Sequence, residues 1–191
     1  MAFALSRRGL GVAALAAVIT VASTTAQTQM VADEYQIKAA FLQNFAKFVN
    51  WPPAALGPAG APLVIGIVGD DPFGVALKQA IYRQSVDGHP LEVHHLRWKD
   101  PFDGCRILFI ASAEVNHVSE ILASVAGQGV LTVADFDSFA RRGGMIELRT
   151  VDHRVRFDIN AAATSAVGLR VSSKLLTLAL HVYGTAEEAR R

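Results

Sequence analysis

Two short apolar runs constrain the fold of this chain more than any other feature. Residues 63–68 and 106–111 are apolar at nearly every position and lack the alternation of a half-exposed strand. Such runs are typical of strands that are buried on both faces of a sheet. Helical patterns lie between these and later strands, which favours a parallel sheet covered by helices. We therefore expect a single α/β layered domain with a mostly parallel sheet flanked by helices.

The C-terminal half is expected to add an antiparallel strand pair. Residues 145–150 and 155–159 alternate like strands and are joined at Asp152-His153. One or two helical turns are expected before this pair, over residues 135–144. A last helix is expected after it, from residue 173 to Val182.

Helix caps can also be predicted from the sequence. Asp71 is placed to cap a helix that has Pro72 at its first position and ends near Tyr82. Two further caps are expected, at Asn160 and at either Ser172 or Ser173.

The first 26 residues are expected to be an export signal that is cleaved. Arg7 and Arg8 form a positive start, residues 9–22 are apolar, and Thr24-Thr25-Ala26 offers small side chains for cleavage after Ala26. The apolar stretch is shorter than the ~20 residues that span a bilayer, so cleavage is favoured over a permanent anchor. The mature protein is therefore expected in the periplasm.

The bulk properties of the mature chain exclude one class of partner. Loss of Arg7 and Arg8 from a chain with 18 basic and 17 acidic residues leaves 16 against 17, a net charge of about −1. Nucleic-acid binding needs a concentrated positive surface, and the sequence offers none. We expect one domain over residues 33–183 and a flexible tail over residues 184–191.

An amphipathic helix is expected directly after the signal. Ile37, Phe41, Phe45 and Phe48 recur at helical spacing, and the proline after Trp51 ends the helix. The polar positions of this helix are Lys38, Gln43, Asn44 and Lys47. The aromatic residues either pack in the core, which we favour for the phenylalanines, or contact a partner, which we favour for Trp51.

The remaining motifs give no convincing catalytic or cofactor site. Asp70 and Asp71 follow a buried strand but lack the lysine or glycines of a phosphate loop. The six histidines have no zinc-ligand spacing, and no serine lies in a hydrolase elbow. We expect no cofactor, no metal and no enzyme activity. The single cysteine, Cys105, excludes an internal disulfide and is expected to be a buried free thiol.

Several ordered blocks resemble the YfiR-like family, also called DUF4154. The blocks comprise residues 34–52, 65–74, 105–110, 131–133, 139, 143–146, 155–160 and 168–176, so the resemblance covers most of the mature chain. It implies a periplasmic α/β protein without known catalysis. The best-studied member binds the periplasmic sensor region of an inner-membrane diguanylate cyclase and represses it, which lowers cyclic-di-GMP and biofilm formation. Repression there is released by redox change or by capture on an outer-membrane lipoprotein, and members can form a homodimer.

The chain departs from the family pattern at one point. A second function also stays open beside the one that the resemblance implies. Cys105 matches a family position but has no partner cysteine, so redox control through internal disulfides does not carry over. The alternative to a regulator is a small-ligand-binding domain that serves a receptor or transporter. Its ligand rim would lie at the carboxyl ends of the strands, near Asp70, Asp71 and Ser112. A hydrolase is a distant third hypothesis.

Overall fold

The structure, a computed structural model, describes residues 12–185, with side chains from residue 29 onward. The predicted positive start of the signal, with Arg7 and Arg8, and residues 186–191 of the predicted tail lie outside the described residues. The chain divides into two compact units after residue 34, and helix α1, Val12–Phe48, contains residues of both. No helix within residues 12–185 combines the length and the apolar character needed to cross a membrane.

An eight-stranded sheet forms the centre of the second unit. Its order is β10-β8-β7-β6-β5-β2-β4-β3, and the five strands from β4 to β7 are parallel. Antiparallel pairs join β3 to β4 and β7 to β8, while β10 is parallel to β8. These strands are β2 Leu63–Val68, β3 Ser85–Val86, β4 His89–Leu96, β5 Cys105–Ile110, β6 Leu131–Ala134, β7 Ile146–Val151, β8 Arg154–Asn160 and β10 Val182–Tyr183. The α/β class, the mostly parallel sheet and the antiparallel pair are confirmed.

Short helices and a small second sheet complete the unit. The helices after α1 are α2 Pro53–Leu56, α3 Val75–Ile81, α4 Val118–Ser124, α5 Ala161–Ala166 and α6 Ser173–Leu178, with one 3-10 turn at Ser112–Glu114. Strand β1, Val49–Asn50, leaves α1 directly and pairs antiparallel with β9, Arg170–Val171. This pairing fixes the end of α1 next to the start of α6, because Ser172 also donates its amide to the carbonyl of Phe48.

The two faces of the sheet bury separate apolar clusters. In β2, Ile65 and Ile67 pack on the side of α1 and α3, whereas Val64 and Val68 pack on the side of α4. Successive side chains of a strand point to opposite faces, so a strand covered on both sides needs apolar residues throughout. The continuous apolar runs that predict β2 and β5 follow from this double covering.

The start of α3 differs from the sequence prediction. The helix begins at Val75 rather than at Pro72, and its N-cap position is Gly74. Asp71 does not cap it, because its Oδ1 accepts a hydrogen bond from the amide of Phe73 and so closes a tight local turn. Strand, turn and helix are therefore in the predicted order, but the turn is three residues longer.

Two further helical predictions are wrong. Residues 135–144 form turns without an α-helix, and Ser138 adopts a φ of 64°, which a helix does not accommodate. The carboxylate of Glu147 accepts hydrogen bonds from the amides of Ser138 and Ala140 and holds these turns. The last helix ends at Leu178, and Val182 belongs instead to strand β10.

The buried face of α1 is also rotated from the predicted one. Ile37, placed by periodicity on the apolar face, is 48% exposed, whereas Lys38 is buried. Between residues 29 and 48, where the side chains of this helix are described, the buried positions are Lys38, Ala39, Leu42, Phe45 and Ala46. Lys38 lies on this face because an acidic partner meets it there.

Candidate functional site

The carboxyl ends of the parallel strands carry the residues predicted as a ligand rim. Asp70 and Asp71 follow β2, and Ser112 follows β5, the neighbouring strand. The strand order reverses at this point, since the chain passes from β2 to β4 on one side and then crosses to β5 on the other. In open α/β sheets, ligands bind outside the strand ends at such a reversal.

A small cavity brings these three residues together. Its volume is about 170 Å³, and Asp70, Asp71 and Ser112 all line it. Two residues absent from the predicted rim, Tyr35 and Asp135, line the same cavity. Asp135 directly follows β6, so the ends of three adjacent strands contribute to one site.

A buried ion pair forms one wall of this site. The Nζ atom of Lys38 lies 2.7 Å from Oδ2 of Asp135, and the two side chains are only 5% and 4% exposed. The hydroxyl of Tyr35 donates a hydrogen bond of 2.8 Å to the same oxygen. Ions taken out of water need close partners of this kind, so the three residues hold α1 against the strand ends as one group.

Asp70 also lines a larger cleft of about 680 Å³. The carboxylate of Glu114 and the end of β4 line it. Oδ2 of Asp71, the atom not used in the local turn, lies 2.9 Å from Nε2 of His95. The remaining lining residues are Gly69, Leu96, Arg97, Trp98, Lys99 and Asp100. The cleft therefore presents both acidic and basic side chains at the strand ends.

An aromatic pair stiffens the rim of the cleft. The Trp98 and His117 rings stack with centroids 4.2 Å apart and an angle of 4° between their planes. Nδ1 of His117 lies 2.8 Å from a carboxylate oxygen of Glu114, and Nζ of Lys99 lies 4.5 Å from the Trp98 ring centre. These contacts fix the loop after β4 to the segment after β5.

A second polar cluster lies at the other edge of the sheet. The carboxylate of Asp158 is fully buried and receives Nη1 of Arg149 at 3.1 Å and Nδ1 of His181 at 3.0 Å. The Tyr183 hydroxyl approaches the same carboxylate at 3.5 Å. The hydrogen bond to Asp158 raises the pKa of Arg149. Burial, and next the charge of Asp158, raise the pKa of Tyr183. This cluster binds the C-terminal segment to β8.

The four residues predicted as a partner contact do not form one open surface. Phe45 is fully buried, and Phe41 and Phe48 are partly buried. Trp51 is only 7% exposed, and its indole N–H donates to the carbonyl of Arg106, so little of the side chain that we favour as a contact is open to a partner. The indole ring packs in the same apolar cluster as the buried side chains of α1 and α3.

Cys105 lies at the first position of β5 and is buried. Burial raises the pKa of its thiol, which lowers the fraction of reactive thiolate. Within the described residues, no group of three or more histidine, cysteine or acidic side chains is arranged to hold a metal ion.

The sequence carries only part of the signal for this site. Asp135 follows an apolar strand as Asp70 does, and that recurrence could have identified it. No local pattern predicts that Lys38 belongs to this site. As a charged residue among the polar positions of the helix, it is expected to face solvent. Tyr35 precedes the aromatic run, and its position in the sequence does not predict that it lines this cavity.

Two solved structures resemble part of this chain. An ABC domain in complex with L-Trp from Streptococcus pneumonia aligns with a TM-score of 0.47 and 10% identity, over 63% of this chain and 55% of that structure. A conserved domain protein from Vibrio cholerae O1 biovar eltor str. N16961 aligns with a TM-score of 0.47 and 12% identity, over 62% and 54%. This chain thus spans little more than half of either structure, and neither likeness carries a functional argument. No curated protein sequence matches the chain.

The sequence profile of one family covers most of the second unit. The profile described as YfiR/HmsC-like, DUF4154, matches residues 35–180. The match begins at Tyr35, the first wall residue of the small cavity, and ends at Leu180, whose amide bonds to β8. It therefore contains both polar clusters apart from the last residues of the C-terminal segment. On this match, the chain belongs to the YfiR/HmsC-like family.

Proposed function

We propose that this protein is a periplasmic repressor that binds the periplasmic region of an inner-membrane diguanylate cyclase. The observation that carries the proposal is the family match over residues 35–180. At the level of the family, that match supports a non-catalytic periplasmic regulator of a diguanylate cyclase. The repression itself, with lower cyclic-di-GMP and less biofilm as its result, is our proposal for this chain.

The state of the charged groups at the strand ends favours a binding role over a catalytic one. Asp135 is buried and is held by Lys38 and Tyr35. Carboxylates with such partners order the backbone around them. A general acid or base instead needs access to a substrate proton.

The proposed mechanism is a shift of the cyclase between two states. A regulator changes that balance only if it binds the inactive state more tightly than the active one. Each difference of about 1.4 kcal/mol changes the ratio of the states tenfold. Of the four aromatic residues predicted as the contact, Phe41 and Phe48 keep exposed surface, and the proposal retains these two. We also propose, from the family resemblance, that an outer-membrane lipoprotein releases the repression. A homodimer is a further proposal on the same ground.

Deletion of the gene tests the proposed function. We expect cyclic-di-GMP and biofilm mass to rise in the deletion strain and to return to their original level when the full gene is restored. A gene that lacks codons 2–26 is the matched control, because its product stays in the cytoplasm and should not complement. Unchanged cyclic-di-GMP under several growth conditions would contradict the proposal.

A second candidate, a small-ligand-binding domain, is favoured by one specific observation. The cavity of about 170 Å³ and the cleft of about 680 Å³ share Asp70 and lie where the strand order reverses. A screen of periplasmic metabolites by thermal shift tests it, since a ligand that binds only the folded state raises Tm. The shift should be lost in Asp70→Ala and Ser112→Ala and kept in Glu120→Ala on α4. A screen without any shift, or a shift that all three variants retain, would count against this candidate.

A further inference from the structure

Helix α3 exposes an apolar surface that the core does not use. Its inner side chains, Leu77 and Ile81, are buried against the sheet. On its outer side, Val75 is 69% exposed and Tyr82, at its C-cap, is 67% exposed. These are the two most exposed large hydrophobic side chains of the described residues. They are seven residues apart, two helical turns, and therefore lie on one face.

Two adjoining depressions shape this face. The first has a volume of about 420 Å³ and is lined by Val75, Lys78, Gln79 and Tyr82. The second has a volume of about 410 Å³ and reaches from Lys78, Tyr82 and Arg83 across to strand β4. Because Lys78 and Tyr82 line both, the two shallow grooves adjoin at these residues. We call the set Val75, Lys78, Gln79, Tyr82 and Arg83 the α3 surface.

The charge of the α3 surface is positive. Lys78 and Arg83 are exposed, and α3 itself contains no acidic residue. Within the described lining of the two grooves, the carboxylate is that of Glu92, which lies 3.5 Å from Nε2 of His94. Lys47 adds a further positive charge nearby, since its Nζ donates to Gln84, the residue after Arg83.

Arg83 is held in position at some cost. Its φ is 53°, in the left-handed region, which is unfavourable for a residue with a side chain. The turn is closed by the Gln84 amide on the Ile81 carbonyl at 2.9 Å, and the Arg83 guanidinium lies 5.2 Å from the Tyr82 ring centre. Tyrosine and arginine are the residue types enriched in the energetic centres of protein interfaces. Here the two side chains form a cation–π contact.

We propose that the α3 surface is the docking site for an acidic segment of a protein partner. The segment would place an apolar side chain beside Val75 and Tyr82 and its Asp or Glu side chains against Lys78 and Arg83. Complementary charge speeds encounter and sets the register, while the desolvated aromatic contact provides affinity. The assignment rests on the proposed function in that the partner is a periplasmic protein, and it adds the α3 surface to the contact for which Phe41 and Phe48 are retained.

Photo-crosslinking in the living host tests the docking site. The full chain is expressed from its own promoter with p-benzoylphenylalanine in place of Tyr82 or of Gln79. Ser119 is the control position, because it is also exposed but lies on α4, at the opposite face of the sheet. We expect crosslinks from positions 79 and 82 to a single protein with an acidic periplasmic region, identified by mass spectrometry, and none of this product from position 119.

Charge reversal supplies the second readout. Lys78→Glu together with Arg83→Glu should lower the crosslink yield at position 82 by roughly tenfold or more, because two attractive contacts become repulsive. Arg156→Glu on β8, far along the sheet, should leave the yield unchanged. These residues are exposed, so unchanged Tm values show that the variants fold. A yield that the double reversal leaves intact would overturn the acidic partner.

The remaining outcomes separate this inference from the proposed function. If gene deletion changes cyclic-di-GMP while positions 79 and 82 give no crosslink, the docking site is wrong and the repressor proposal stands. If position 82 crosslinks an acidic periplasmic protein but deletion leaves cyclic-di-GMP unchanged, the docking site stands and the repressor proposal fails. A crosslink to a second copy of this chain overturns the assignment to a different protein.

Discussion

Two carboxylates determine much of the local order at the scale of single residues. Asp135 holds α1 through Lys38 and Tyr35, and Asp158 holds the C-terminal segment through His181 and Tyr183. Both lie out of water, so each is costly without its partners and firmly held with them. This requirement explains why basic and hydroxyl groups surround each of the two carboxylates.

Loss of either member of the Lys38–Asp135 pair should be strongly destabilising. Lys38→Met leaves the buried carboxylate of Asp135 beside the Tyr35 hydroxyl without the lysine charge, and we expect a loss of about 3 kcal/mol in the free energy of unfolding. The urea midpoint at constant slope measures it. Lys47→Met on the exposed side of α1 is the matched control and should change stability by less than about 0.5 kcal/mol. The double variant Lys38→Met/Asp135→Leu should recover most of the loss, and a loss equal to or larger than that of the single variant would contradict the pairing.

The pKa of Tyr183 gives a prediction for alkaline pH. Burial raises this pKa above its ordinary value of 10.0, so the folded state retains the phenol proton more strongly than the unfolded state does. The resulting stability is complete below the unfolded-state pKa and is lost as the pH rises through the pKa of the folded state. We expect the unfolding free energy to fall more steeply in the wild type than in Tyr183→Phe once the pH exceeds 10.0. Parallel profiles of the two proteins would show that Tyr183 is not the group responsible.

At the scale of secondary-structure elements, helix caps can be tested one by one. The sequence leaves Ser172 and Ser173 as alternative caps of α6, and in the structure the Ser172 Oγ accepts a hydrogen bond from the Leu175 amide at 3.3 Å. Ser172→Ala should therefore cost about 1 kcal/mol. Ser173→Ala is the matched control and should be nearly neutral, since Thr177 uses the backbone carbonyl of Ser173 and not its side chain. Equal losses in the two variants, measured by thermal unfolding, would contradict the assignment.

Some of the secondary-structure elements could be predicted from local sequence patterns, and others could not. Strands β2 and β5 could be predicted because double burial leaves a local mark, an unbroken apolar run. The cap at Asn160 is likewise local, and its side chain accepts from the Ala163 amide as predicted. The end of α6 could not be predicted from periodicity. Ile159 donates its amide to the His181 carbonyl, and this pairing with a strand distant in sequence draws the last residues into β10.

The same distinction applies to the candidate site. Asp70, Asp71 and Ser112 could be placed at one edge because the carboxyl ends of parallel strands share that edge. Burial of Lys38 depends on which face of α1 meets Asp135, 97 residues away, and no local pattern contains that contact. The buried face of α1 differs from the predicted one for the same reason, and Ile37 is exposed as a consequence.

At the scale of the whole molecule, compartment decides whether the proposed partner can be reached. A periplasmic contact requires that the chain be exported, and the sequence predicts cleavage after Ala26, within the range of helix α1. Signal cleavage selects small side chains just before the cut. We therefore expect periplasmic protein to begin at Gln27, as determined by mass spectrometry of the intact chain.

A variant at the cleavage position makes this test specific. Ala26→Phe should block processing and leave the full-length chain in the membrane fraction, because a large ring replaces the small side chain before the cut. Ser23→Ala is the matched control, since it keeps a small side chain three residues earlier and should be processed normally. If Ala26→Phe still matures at Gln27, the cut does not depend on a small side chain at position 26. If an uncut chain is found in the periplasm, the predicted signal is wrong. The repressor would then have to reach its partner with the whole of α1 attached, and complementation by a gene lacking codons 2–26 would no longer separate export from binding.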